Sequence, residues 1–439
     1  MSEALEIALS PERLDEGTPE EKACFGLLRV RTGDIELVSG FDHYTGGYRA
    51  GPLVSGYHLG EWLAWNWWRL MWEPKTSSPD WWRAHNMTAI GEGYSWPNLT
   101  ISSDGVRTVL LPRGSVRADA KPFRYMGAPP VIVPRKAFES AVDDFLGKLV
   151  ARLEETGIGA SNFRTLWSDV LAERADPETS KRRKLEALLG RDPDAEDGRD
   201  LEKLILDAEQ LGEGAAEELA AEAGQSNRMY TIEDIAGLAN RFGQELNPQD
   251  AVHTGSLTDL KSGGETPAWL LGSRAAQRLR EREKLGDRKV ASKALFQMAG
   301  IGARGAERAA RGNASFSFSL DRGDGSGQIV IRRRGKEGSR FDVARLLGDR
   351  LVVCGADRLR AATHAYTYRQ QMQRAFAAEF LCPFEAVEDI LRGDYSAEAQ
   401  EEAARHFEVS PLVVRTQLVN RKRLDRDELD AEVASAAWR

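Results

Sequence analysis

Tryptophan and histidine are the residues of this chain whose types and spacing most readily suggest chemistry. Trp62, Trp65, Trp68 and Trp72 recur at spacings of three and four in "YHLGEWLAWNWWRLMWEP". A helix halted by Pro74 would carry them on one face. With His85 and Trp96 nearby, Trp65, Trp68, Trp72, His85 and Trp96 make a candidate ligand-binding platform, because aromatic faces stack on bases and cations. The same stripe equally suits a hydrophobic core. His43, His58 and His85 lack metal-ligand spacing, and His253, His364 and His406 each stand alone. No Walker A, Rossmann, GxSxG or CxxC pattern occurs. Near the C-terminus, "EEAARHFEVSPLVVRTQLVNRKR" has the outline of a helix-turn-helix. Its Arg415, Gln417, Asn420, Arg421, Lys422 and Arg423 could face phosphates or base edges, with structural packing as the alternative.

These residues need elements to position them. "GLLRVR" and "IELVSG" around "TGD" predict a hairpin, and "NLTISSDGVRTVLLP" predicts a second one turning at Asp104-Gly105. "PPVIVP" reads as a further strand. From 135 to 157 the pattern becomes helical, with Phe138, Val142, Phe145, Leu149 and Leu153 on one face and Gly157 at the end. Helices follow in "NFRTLWSDVLAER", "TSKRRKLEALLG" and "LEKLILDAEQLG". The intervening "RDPDAEDGRD" lacks the glycine and glutamate positions of a calcium loop and reads as a solvated turn. Polar residues at 222 to 231 suggest a domain boundary. Thr231 to Asp234 can then form a capping box for "IEDIAGLANRFG". A helix after Pro267, another in "ASKALFQMAGI" and a hairpin in "ASFSFSLDRGDGSGQIVIRRR" lead to "RFDVARLLGDRLVV".

The second half resembles the ImmA/IrrE family of zinc metallopeptidases over roughly residues 228 to 425. The resemblance rests on "SGQIVIRRRGKEGSRFDVARLLGDRLV", "RAFAAEFLCP" and "ARHFEVSPLVVRTQLVNR", in the family's order. It implies a helix bearing HExxH, in which two histidines one turn apart hold Zn²⁺ and the glutamate takes a proton from the metal's water. Aligned on "RF-x-x-A", the first ligand falls on Arg345, the base on Leu346 and the second ligand on Asp349. The third ligand falls on Met372, among Gln370, Gln371 and Gln373. Arginine repels a cation, leucine has no lone pair, and only Asp349 could ligate. The expectation is that Arg345 and Asp349 form an ion pair at i and i+4 while Leu346 packs.

Size and composition bound the rest. A chain of 439 residues is expected to form more than one domain. Three cysteines, Cys24, Cys354 and Cys382, without a CxxC pair argue against a disulfide framework and for a reducing, cytoplasmic setting. The acidic first twenty residues do not read as a signal peptide, and no run is apolar enough to span a membrane. A net charge of -8 disfavours a broad electrostatic grip on nucleic acid.

The sequence therefore predicts an α+β protein. Residues 1–225 form an N-terminal domain, β-rich to about 134 and helical from 135. Residues 226–439 form a mostly helical, zincin-like pseudo-metallopeptidase domain with a small sheet and a C-terminal helical unit. The expected function is non-catalytic regulation or sensing through a protein partner such as a repressor-like regulator, since the family's active members cleave repressors in response to stress or mobile elements. No cofactor is expected, zinc entering only if other ligands rebuild the site. Two alternatives stay open, an active metallo-endopeptidase with non-standard ligands and a DNA-binding transcriptional regulator.

Overall fold

The computed structural model describes residues 4–116, 122–195, 198–247, 252, 266–302, 315–322, 326–332, 335–353 and 357–425. The fold is α+β, and the described strands form four small sheets with antiparallel pairing throughout. Two compact units are present. The first is Met1–Leu201 with Gly224–Ser226, and the second is Glu202–Ala223 with Asn227–Arg439. Residues 202–223 thus group with the second unit, ahead of the expected 225/226 boundary. His253 and Cys354 lie outside the described residues. Among the described residues no helix is long and apolar enough to cross a membrane.

In the first unit, the strands Leu5–Pro11, Phe25–Thr32, Ile35–Glu36 and Leu53–Ser55 form one sheet. Its expected hairpin is present with a second arm of only two residues. The second hairpin, Asn98–Ser103 with Arg107–Arg113, turns where expected. Asp104 Oδ1 accepts from the backbone N–H groups of Val106 and Arg107, and Gly105 sits at φ +91, a conformation that favours glycine. Val131–Pro134 pairs with Arg107–Arg113, so the helix Arg135–Glu155 begins directly off that sheet. Its residues Phe138, Val142, Phe145, Leu149 and Leu153 are all buried in the core, as their spacing requires.

The tryptophan segment departs from the expected single helix. Asn66 divides it into Gly56–Trp65 and Trp67–Trp72. The Asn66 side-chain amide donates to the Trp62 carbonyl at 2.9 Å, and its backbone at φ -94, ψ 11 closes the first helix. Asparagine can satisfy the backbone locally in this way, which a purely apolar periodicity does not register. Trp62 and Trp68 are buried, whereas Trp65, the last residue of the first helix, is 58% exposed. The described residues of "RDPDAEDGRD", 191–195 and 198–200, are exposed or half-buried, and two of its aspartates are paired. Asp192 accepts from Arg69 and Asp194 pairs with Arg183, at 3.1 and 2.6 Å.

In the second unit, Thr231 and Asp234 form the expected capping box for the helix Ile232–Phe242. A four-stranded sheet runs in the order Gln244–Leu246, Gly327–Val330, Ser317–Asp321, Leu359–Ala362. Three helices, Ala268–Arg282, Lys336–Val352 and Tyr368–Leu381, pack on one another. Their approach depends on glycine. A Cβ at Gly272 would lie 2.3 Å from the Met372 carbonyl oxygen, and one at Gly348 would lie 2.5 Å from the Phe376 ring. Short helices Ala397–Phe407 and Pro411–Asn420 follow, with Ala404, Phe407, Val414 and Leu418 buried between them and the core.

Candidate functional site

The helix Lys336–Val352 carries four charged residues that are buried, Arg340, Asp342, Arg345 and Asp349. Buried charge is costly unless it is paired and hydrogen-bonded, so each must find a partner inside the unit. Arg340 donates to the Val290 carbonyl and the Ser292 hydroxyl, and Asp342 accepts from the Ser317 hydroxyl at 2.7 Å.

The partners of Arg345 and Asp349 differ from those expected. Asp349 is gripped by Arg369, whose Nε and Nη2 each donate to one carboxylate oxygen at 2.7 Å. Gln373 Nε2 at 2.9 Å and Arg360 Nη1 at 3.3 Å complete its shell. Arg345 instead donates to the Thr363 carbonyl at 2.7 Å and to Gln370 Oε1. The i, i+4 pair between Arg345 and Asp349 is therefore absent: Asp349 pairs at long range with Arg369, and the carboxylate beside Arg345 is Asp342 at i−3, 3.9 Å away. A bidentate guanidinium from the facing helix satisfies both carboxylate oxygens, which one turn of the same helix could not do as well. Leu346 packs in the core, as expected, and Met372 lies in the same apolar cluster. From the helix Tyr368–Leu381, it is Arg369, Gln370 and Gln373 that reach this site.

A further acid joins them. Glu218, on the helix Glu213–Ser226, accepts from Gln370 Nε2 at 2.8 Å and from the Thr367 hydroxyl at 2.9 and 3.0 Å. Glu222, one turn on, accepts from the His364 backbone N–H at 2.8 Å. Sequence reasoning missed both residues, although a signal existed. In "EGAAEELAAEAG", alanines surround the helix, and Ala215, Ala216, Ala220, Ala221 and Ala223 are all buried. A helix with small residues on every side is packed all round, which places its glutamates inside as well.

Two opposite electrostatic outcomes coexist here. Burial works against the Asp349 charge, but the charge and hydrogen bonds of Arg369, with Arg360 and Gln373, hold its carboxyl below the usual range. For Glu218 burial prevails over Arg369, Gln370 and Thr367 and lifts its pKa to about 7. The unfolded chain releases this proton near 4.5 while the folded chain keeps it to about 7. The stability Glu218 contributes is then complete below the lower value and lost as pH rises through the higher one. Glu218→Gln, which mimics the protonated acid, should remove that loss and gain about 3 kcal/mol on the native chain across this interval. Urea midpoints of both proteins at either end of the interval read the effect. A difference that does not change with pH would show that Glu218 does not titrate there.

The zinc centre implied by the family resemblance does not fit these residues. A cationic arginine, a leucine and a methionine occupy three of its positions, and the single carboxylate is already chelated by a guanidinium. Among the described residues, no group of three or more histidine, cysteine, aspartate or glutamate side chains is arranged to hold a metal ion. Cys24 and Cys382 are buried and unbridged, with burial pushing the Cys24 thiol up to about 11. No step of hydrolysis can be derived through this arrangement.

The other candidates are dispersed. Arg415 donates to Gln400, Gln417 is buried and donates to the Cys382 carbonyl, and Arg423 pairs with Glu388 at 2.9 Å. The Arg421 guanidinium lies over the Phe384 ring at 5.0 Å, and Asn420, Arg421, Lys422 and Arg423 are all exposed. The helix-turn-helix outline is present, but most of its polar side chains are engaged within the unit. In the first unit, Trp68 donates to Glu173, and Trp96 is buried and donates to the Gly91 carbonyl. Trp72 lies between Arg135 and Lys184, at 4.4 and 4.3 Å. His85 is wholly buried, stacked on Trp81 at 4.3 Å. Of this proposed platform, Trp65 alone is widely open to solvent.

Comparisons with protein families, curated proteins and solved structures give no match to the chain.

Proposed function

We propose that the second unit is a non-catalytic, ImmA/IrrE-like module that acts in regulation or sensing by holding a protein partner. The observation that carries this reading is the chelation of Asp349 by Arg369, at the position where the resembled family places its second metal ligand. A carboxylate in that state is a structural anion. Metal-bound water needs an open coordination position and a nearby base, and Leu346 supplies none. What supports partner binding over DNA reading is the engagement of Arg415, Gln417 and Arg423 by Gln400, Cys382 and Glu388.

Metal analysis of protein purified without added metal or chelator tests the proposal. The expected result is zinc far below one equivalent per chain, with no peptide cleavage that added zinc induces and chelation abolishes. Stoichiometric zinc together with chelator-sensitive proteolysis would overturn it.

A further inference from the structure

The first unit contains an open cavity of about 240 Å³ whose walls join aromatic and acidic side chains to the aliphatic Ala89, Ile90 and Leu166. Four of its lining residues, His58, Glu61, Trp62 and Trp65, stand at i, i+3, i+4 and i+7 and so form one stripe of the helix Gly56–Trp65. Glu92 closes the rim from the loop opposite, and Asn162 contributes from the helix Asn162–Ala175. The core-facing side of the same short helix is supplied by Leu59 and Leu63. Trp65 is thus not demanded by packing, and at 58% exposure its indole is left open beside two carboxylates. None of the residues lining the cavity is lysine or arginine.

The carboxylates are incompletely neutralised. Glu61 Oε1 accepts from the Asn162 amide at 2.9 Å, and its other oxygen faces His58 Nδ1 at 3.6 Å. His58 Nε2 turns away to Glu21 at 3.1 Å, where Tyr94 also donates its hydroxyl at 3.2 Å. Glu92 is exposed, and it adopts a left-handed φ of +52 between Gly91 and Gly93, which are left-handed too. An electron-rich indole face next to carboxylate charge attracts cations that are large and weakly hydrated. An anion would meet repulsion from Glu61 and Glu92, and a neutral apolar ligand would offer their charges nothing.

We propose that this cavity binds an organic cation, an alkylammonium or guanidinium group lying on the Trp65 indole with its charge toward Glu61 and Glu92. The site lies wholly in the first unit and does not depend on the reading of the second. The group can belong to a free small amine or to a basic side chain of a peptide, since both present the same chemistry.

The test uses the full chain and saturation-transfer NMR with four probes: tetramethylammonium, arginine amide, a short arginine-containing peptide, and neutral 3,3-dimethylbutanol. Saturable binding of at least one cation is expected, at least about tenfold tighter than the neutral isostere. Tighter binding of the peptide than of the two small cations would identify a side chain as the source, and the reverse a free amine. Trp65→Ala should weaken binding at least about tenfold and Glu92→Gln about threefold, both at exposed positions where the fold is retained. Equal affinity for 3,3-dimethylbutanol, absence of saturation by every cation, or unchanged affinity in Trp65→Ala would each overturn the proposal.

Discussion

Asp349→Ala is expected to cost about 3–5 kcal/mol, because it strands the largely buried Arg369 guanidinium, which cannot shed its charge. A domain's whole stability is about 5–15 kcal/mol, so the second unit should be close to unfolding. Asp357 remains as an Arg369 partner at 2.8 Å, but it meets a different nitrogen and leaves Nε and Nη2 facing the space vacated. Adding Arg369→Met removes the stranded charge, and the double variant should recover part of the loss. Circular dichroism during urea unfolding reads both changes. The pH dependence follows from the depressed pKa of Asp349. Its contribution is present above the unfolded carboxylate value of 3.8 and disappears as pH falls through the lower folded value, so the native chain should lose more stability in acid than the double variant does. A cost under about 1 kcal/mol for Asp349→Ala would mean that this carboxylate is not what neutralises the helix pair.

A matching loss, also about 3–5 kcal/mol, is expected in the first unit from Glu73→Ala. Arg69 and His85 are both buried, and Glu73 serves both. Its Oε2 accepts from Arg69 Nε at 2.7 Å and lies 3.0 Å from His85 Nε2, while Oε1 accepts from Arg69 Nη2 at 3.2 Å. His85 Nδ1 donates to the Ile101 carbonyl at 2.8 Å, so the ring ties the tryptophan segment to the strand Asn98–Ser103. Removing the carboxylate leaves a guanidinium with Asp192 alone and an imidazole with one side unmet. Glu73→Gln retains one acceptor and should cost about half as much. Tryptophan fluorescence is a selective reporter, since nine of the eleven tryptophans lie between residues 62 and 167. An unchanged urea midpoint in Glu73→Ala would refute the assignment. Burial works against the Glu73 charge, but His85 and Arg69 depress its pKa, so this contribution too is lost in acid and retained above the unfolded value of 4.5.

The two networks explain why candidate chemistry was only partly legible. The chain announces Arg345, Leu346 and Asp349 as one helical face, and that face exists. Apart from Asp342, three residues before Arg345, their polar partners come from far along the chain, however. Arg369 lies 20 residues beyond Asp349, and Gln370 and Glu218 are 152 residues apart. Helical spacing can propose a neighbour at i+4, but it cannot say that an arginine on another helix will offer better geometry. His85 illustrates the same point: its stacking on Trp81 follows i, i+4 spacing, whereas its partners Glu73 and the Ile101 carbonyl lie 12 and 16 residues away.

What the sequence determined by itself is whatever a few adjacent residues can enforce. Asp104 and Gly105 set a hairpin turn, Thr231 and Asp234 cap a helix, and the spacing of Phe138 to Leu153 chooses which face of another is buried. Those outcomes follow from backbone sterics, short hydrogen bonds and periodicity. Tertiary structure decided where each charge is neutralised and which aromatic faces meet solvent. Packing through Gly272 and Gly348 brought the helices close enough for Arg369 to reach Asp349. Such choices depend on competition among groups remote in sequence, and only the folded chain resolves it.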